Sequence, residues 1–128
     1  MLLLDTHAFV WLVSDQKQFT SDALNAVSAN AGRLHLSSVS GLEIGLLVKR
    51  DRLVLPTAPD VFIRRGMTQH HIQEMPMTWE IAYRSSCLPE LHNDPFDRII
   101  IATAQLNGMD ILSKDRMIPT YPGTKVIW

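Results

Sequence analysis

Asp5, Glu43, Asp97 and Asp115 each close or follow a short apolar run: Leu2-Leu3-Leu4-Asp5, the 34–38 run ahead of Glu43, Asp94-Pro95-Phe96-Asp97, and Ile111-Leu112-Ser113-Lys114-Asp115. All four therefore read as residues of strand–helix junctions. In an open α/β fold, functional groups gather in the crevice beyond the carboxyl ends of the strands. Carboxylates brought together there raise one another's pKa and repel unless a cation lies among them. The set asks for a divalent metal and points to metal-dependent chemistry on a phosphate.

Each acid also has a plainer reading. Asp5 fits a turn or helix N-cap, and Ser40-Gly41-Leu42-Glu43 fits a capping box in which the glutamate only satisfies backbone donors. Asp97 sits where its charge complements a helix dipole, and Asp115 could be an ordinary loop acid. What sets the four apart is that all fall at the same end of their elements.

The elements that must position them can be read along the chain. Residues 1–5 form an apolar run suited to a buried parallel strand, and 6–13 turn directly into a helix. Thr20-Ser21-Asp22 offers N-caps for a helix running to about residue 30, with Gly32 after it. The alternation over 34–38 predicts a second strand, and 38–49 a helix in which Gly41 and Gly45 permit close approach of another backbone. An extended connection covers 53–56, a helix 60 to about 73, and an extended segment 75–77. Thr78 caps a helix that ends before Pro89. Asp94-Pro95 starts the best-marked helix, which Gly108 stops after Asn107. Strands follow over 109–113 and 125–128. Strands alternating with helices predict a parallel sheet covered on both faces.

The bulk composition sets limits. The chain has 128 residues, 46% of them hydrophobic, which favours one domain, spanning 1–128, with a real core. Net charge is −1, so nucleic-acid binding has no overall basic signature and would need a local basic rim. One cysteine, Cys87, excludes an intrachain disulfide and a cysteine-rich zinc site. No leader pattern opens the chain, and no apolar stretch reaches the ~18–20 residues a bilayer span needs. These features are read as those of a cytoplasmic protein.

The motifs resemble a known family. Leu4-Asp5-Thr6-His7 is similar to the opening of PIN-domain ribonucleases, specifically the VapC-type toxins of toxin–antitoxin pairs. The 37–45 segment is similar to the second motif, with Glu43 in the acidic position; Gly41-Leu42 replaces the valine-tryptophan-type pair common there. The run from Asp94 to Ala104 is the strongest match, with Asp97 as the third site acid, and Leu112-Ser113-Lys114-Asp115 resembles the fourth motif. The resemblance implies a three-layer α/β/α sandwich around a parallel sheet of four or five strands, and usually a homodimer. It also implies an endoribonuclease dependent on Mg²⁺, with Mn²⁺ as substitute, acting on RNA and neutralised by a cognate antitoxin protein in a hetero-oligomer.

Physical reasoning reaches the same chemistry. Hard divalent cations prefer oxygen ligands, so carboxylates with retained waters suit Mg²⁺ or Mn²⁺ better than zinc. Asp5 and Asp97 read as direct ligands. Glu43 and Asp115 read as holding coordinated waters or a second ion and orienting the attacking water. Thr6 and Ser113 are candidate supporting donors, and Asp94 caps its helix with a secondary role beside the metal. Arg98, Lys114 and Arg116 flank the acids and could hold substrate phosphates, or be plain solvated charge. His7 lines the cleft or packs beside it, His70-His71 reads as an exposed helix end, and Trp11, Trp79 and Phe96 read as core or interface residues. Water as nucleophile leaves 5′-phosphate and 3′-hydroxyl ends.

Rival readings fit less well. A haloacid-dehalogenase-type phosphatase needs an aspartate two residues after Asp5, where this chain has His7. A receiver domain needs a phosphoacceptor at a mid-chain strand end, and Asp51 lies instead in Lys49-Arg50-Asp51-Arg52. A non-catalytic PIN-like binding or scaffold module would be marked by loss of a site acid, and all four are present.

Overall fold

The computed structural model describes residues 1–128. In chain order the elements are β1 (Leu2–Leu4), α1 (Thr6–Ser14), α2 (Ser21–Ala29), β2 (Leu34–Ser37), α3 (Val39–Lys49), α4 (Pro59–Gln69), β3 (Gln73–Met75), α5 (Trp79–Cys87), α6 (Pro95–Asn107), β4 (Asp110–Leu112) and β5 (Val126–Ile127). All strand pairs are parallel, in the order β3-β2-β1-β4-β5. From β1 the chain winds to one side through β2 and β3; β4 and β5 lie on the other. The reversal puts a topological switch point between the carboxyl ends of β1 and β4, where such sheets open a crevice.

Strand periodicity explains the layers. Successive side chains point to opposite faces, so Leu2 and Leu4 join one core with Phe9, Leu12 and Phe62, while Leu3 joins another with Ile100, Ile101 and Ala104. The central strand is fully buried on both faces, which is why it reads as a continuous apolar run. The expected three-layer sandwich is what the chain forms, with five strands.

Local signals placed most helices. The Thr20 and Thr78 hydroxyls accept the Ala23 and Ile81 N–H groups at 3.0 and 3.2 Å, and Gly108 ends α6 at φ 62°. One boundary differs from expectation. The helix predicted to about residue 73 stops at Gln69, because His71 takes a left-handed φ of 52° and the Ile72 N–H returns to the Met67 carbonyl at 2.9 Å. This is a Schellman stop without its usual glycine, so the sequence carried no mark of it. Residues 73–75 then form an edge strand with exposed Gln73 and Glu74.

The glycine expectation is also corrected. A Cβ at Gly41 or Gly45 would meet nothing within 4 Å, whereas one at Gly66 would lie 2.6 Å from Val13 Cγ2 and 3.0 Å from Phe9 Cζ. Gly66 is the position where α4 closes on α1. Gly66→Ala is expected to destabilise the protein by about 1–2 kcal/mol after the gain in helix propensity, read as a lower urea midpoint at unchanged slope. Gly41→Ala should not lower that midpoint. No helix is long and apolar enough to cross a membrane.

Candidate active site

The carboxyl ends of β1 and β4 are joined by side chains. Asp5 caps α1, its Oδ1 accepting the Ala8 N–H at 2.7 Å, while its Oδ2 accepts the hydroxyl of Ser113 just beyond β4. Ser113 Oγ in turn accepts the Asp115 N–H at 3.0 Å. Residues more than a hundred positions apart thus share one hydrogen-bonded corner, at 6% and 2% exposure for Asp5 and Ser113. Groups buried so deeply keep their polar atoms only by pairing them.

Thr6 performs the same service for α3. Its hydroxyl donates to Glu43 Oε1 and shares a hydrogen bond with Ser40 Oγ at 2.9 Å. Ser40 and Glu43 therefore bond to Thr6, and the alternative capping-box reading of that pair does not describe them. Asp94 does cap α6, accepting the Phe96 N–H at 2.9 Å, and its carboxylate also faces the cleft.

The cleft measures about 330 Å³ and is lined by Asp5, Glu43, Asp94, Asp97 and Asp115, with His7, Trp11, His92 and Lys114. The structure thus brings the four sequence-selected acids together with Asp94, which the sequence placed beside them in a secondary role. One ligand atom from each of His92, Asp94 and Asp97 lies within 4.8 Å of the others. Asp94, rather than Asp5, stands in this tightest group.

Electrostatics follow from crowding and burial. Burial raises the Asp97 carboxyl to about 9, and the charges of Asp94, Asp5, Glu43 and Asp115 push the same way. Burial also raises Asp5 and Glu43, opposed by the hydroxyls of Ser113 and Thr6 respectively. Five carboxylates facing one lysine make a site whose charged form needs added positive charge. An oxygen-rich donor set of this kind fits a hard divalent cation.

His92 is a site residue that sequence reasoning missed. Its Nε2 lies 2.8 Å from Asp97 Oδ2 and 3.3 Å from Asp115 Oδ2. A lone histidine in a loop carries no spacing signal; only its position two residues before the Asp94-Pro95 start hinted at proximity.

Arg98 is a correction. Read as a phosphate contact or a plain solvated charge, its guanidinium instead donates to the carbonyls of Ser85, Leu88, Pro89 and His92 and to the Tyr121 hydroxyl, at 2.8–3.3 Å. It ties down the loop that carries His92. Arg98→Met is expected to cost about 2–3 kcal/mol, because the freed carbonyls lose their donors, measurable by urea denaturation. Lys114 does reach the cleft, with Nζ 5.7 Å above the Trp11 ring; Arg116 is exposed and outside the lining. Trp11 packs on Trp128, centroids 5.6 Å apart, and also forms part of the cleft wall. Phe96 packs on the second core, while Trp79 is 77% exposed.

Comparison with known proteins gives concordant matches. The profile of one family, the PIN domain, matches residues 2–123. Ribonuclease VapC22 of Mycobacterium tuberculosis is 27% identical over 130 residues, covering 99% of this chain and 98% of that protein. VapBC2 from Rickettsia felis, solved bound to a promoter DNA fragment, superposes with a TM-score of 0.73 at 11% identity, covering 98% of this chain and 96% of that one. DNA-bound VapBC from Salmonella typhimurium gives 0.70 at 16% identity over 98% and 95%. The two structural likenesses concern the fold.

Proposed function

We propose, from the premise that this chain belongs to the PIN-domain family, that it is a metal-dependent endoribonuclease and the toxin of a toxin–antitoxin pair. The observation that carries this reading is the convergence of five carboxylates at the switch point of the sheet, with Asp97 raised to about 9 by burial and by the others. The likeness to a named VapC ribonuclease over nearly its whole length supports the same activity. A single PIN domain spans the chain, and the protein works in the cytoplasm.

Asp5, Asp94 and Asp97 hold a divalent cation, Mg²⁺ with Mn²⁺ as substitute. Bound there, the cation supplies the Lewis acidity that draws charge from a phosphate oxygen and makes water a competent nucleophile. Glu43 and Asp115 accept hydrogen bonds from the attacking water and fix its approach. The Thr6 hydroxyl holds Glu43 in one orientation, and Ser113 does so for Asp5. Lys114, at the cleft wall, holds a neighbouring phosphate of single-stranded RNA. Attack by water expels the 3′ oxygen, so the upstream fragment ends in a 3′-hydroxyl and the phosphate stays on the 5′ oxygen of the downstream one.

The partner is a small antitoxin that lays a basic side chain among the acids, where a cation would otherwise lie. A homodimer is supported by exposed Leu42, Met77, Trp79 and Tyr83. The Met77 N–H donates to Ser38 Oγ at 2.9 Å, which sets that apolar stretch beside the start of α3.

The test is cleavage of labelled single-stranded RNAs by antitoxin-free protein with Mg²⁺, with Mn²⁺ and with EDTA. Metal-dependent cutting that leaves 5′-phosphate ends is expected. A folded protein that binds no divalent cation and cuts no RNA would return the non-catalytic scaffold as the better account.

A further inference from the structure

We propose that His92 is a nitrogen ligand of the cation in this cleft, so that the site selects Mn²⁺ over Mg²⁺ more strongly than its carboxylates alone would. The inference rests on the metal-nuclease reading and adds a donor to it. Three observations carry it. His92 Nε2 lies 2.8 Å from Asp97 Oδ2 and 3.3 Å from Asp115 Oδ2, so the imidazole edge occupies the same small volume as the acidic oxygens. With Asp94 and Asp97, it forms the group whose ligand atoms all fall within 4.8 Å.

The third observation is that the His92 backbone is fixed at both its N–H and its carbonyl. The His92 N–H bonds the Tyr121 hydroxyl at 2.9 Å, and the His92 carbonyl accepts from Arg98 Nη1 at 3.3 Å. Arg98 also grips the Leu88 and Pro89 carbonyls at 2.8 Å, so the approach to His92 is anchored from both sides. Tyr121 is 1% exposed, which makes it a fixed post. Fixing the backbone on either side of its Cα limits where the imidazole can lie. His7 also lines the cleft, but it is exposed and its ring lies on Trp11, centroids 5.7 Å apart.

As a ligand, Nε2 presents its lone pair and the ring hydrogen resides on Nδ1. Imidazole nitrogen is a softer donor than carboxylate, and Mg²⁺ keeps oxygen ligands and waters in preference to it. Transition-series divalent ions accept the mixed set. One histidine among carboxylates therefore changes the choice of ion without changing the hydrolysis.

The experiment is pulsed electron paramagnetic resonance of Mn²⁺ added to the antitoxin-free full chain. The signal is read for nitrogen coupling to the metal, first with ordinary protein and then with ¹⁵N-histidine label. Coupling that converts from ¹⁴N to ¹⁵N on labelling, persists in His7→Gln and vanishes in His92→Gln is expected. His92→Gln should also weaken Mn²⁺ binding about tenfold while weakening Mg²⁺ binding by less. The labelled wild type needs no substitution, so a poorly folding variant does not remove the test. Mn²⁺ bound without histidine coupling overturns this inference and leaves the nuclease reading standing, as does coupling lost in His7→Gln instead. No Mn²⁺ binding by folded protein overturns both.

Discussion

Asp97→Asn is expected to abolish RNA cleavage, lowering the rate by about a thousandfold or more, while making the metal-free protein more resistant to heat. The two effects have one origin. The Asp97 carboxylate is 13% exposed, beside His92 and within the field of four other acids. Such a charge is worth keeping only for the cation it holds, and removing a group that stabilises developing charge costs catalysis heavily. Asparagine keeps the shape and a hydrogen-bonding oxygen and spares the folded state the proton that the crowded carboxyl must take up near neutral pH. A melting temperature that rises in EDTA, together with lost cleavage, is the expected pair of readings. A variant that cuts RNA normally would remove Asp97 from the chemistry. A variant that is inactive but less stable would give the residue a structural role instead.

The second large effect is on pH dependence. In the metal-free fold the Asp97 carboxyl keeps its proton up to about 9, against an ordinary value of 3.8. Between those values the folded state binds a proton that the unfolded chain has released. Stability is therefore fully present below the unfolded value and falls as pH rises toward the folded one. Asp5 and Glu43, also raised, add in the same sense. A thermal melt in EDTA should accordingly weaken steadily from about pH 5 to pH 9. A divalent cation takes the place of the proton, so Mn²⁺ should raise the melting temperature far more at pH 8 than at pH 5. Metal-free stability that increases with pH over this window would contradict the crowded, raised carboxyls. Asp97→Asn should flatten most of the slope, which links this measurement to the first.

Asp97 was visible in the sequence because its surroundings are local: an N-cap aspartate, a proline at the first helical position and an acid in the first turn. Asp5 was visible for a similar reason, as the polar end of a strand buried on both faces. The α4 boundary was not, since a histidine took a backbone conformation that glycine usually marks. Glycine spacing misled in α3, where Gly41 and Gly45 are open, and gave no hint that Gly66 closes on Phe9 and Val13. Arg98 read from its sequence neighbours as a phosphate contact or a solvated charge, yet its guanidinium is committed to carbonyls up to thirteen residues away. Charge and proximity to a motif do not reveal what a long side chain will find to bond.

The sequence by itself determined the strand–helix alternation, the parallel sheet, and the four candidate acids, Asp5 and Asp115 after strands and Glu43 and Asp97 near the starts of helices. These depend on periodicity, caps and apolar runs, which act over a few residues. Only the tertiary structure decided that β4 lies beside β1, that Ser113 therefore reaches Asp5, and that Asp94 and His92 close on Asp97. The first two follow from the β1–β4 ladder, and the place of His92 from how Arg98 and Tyr121 tie down the loop after α5. Contacts between residues far apart in sequence leave no periodic mark, because chain order does not constrain which side chains meet once the core has packed.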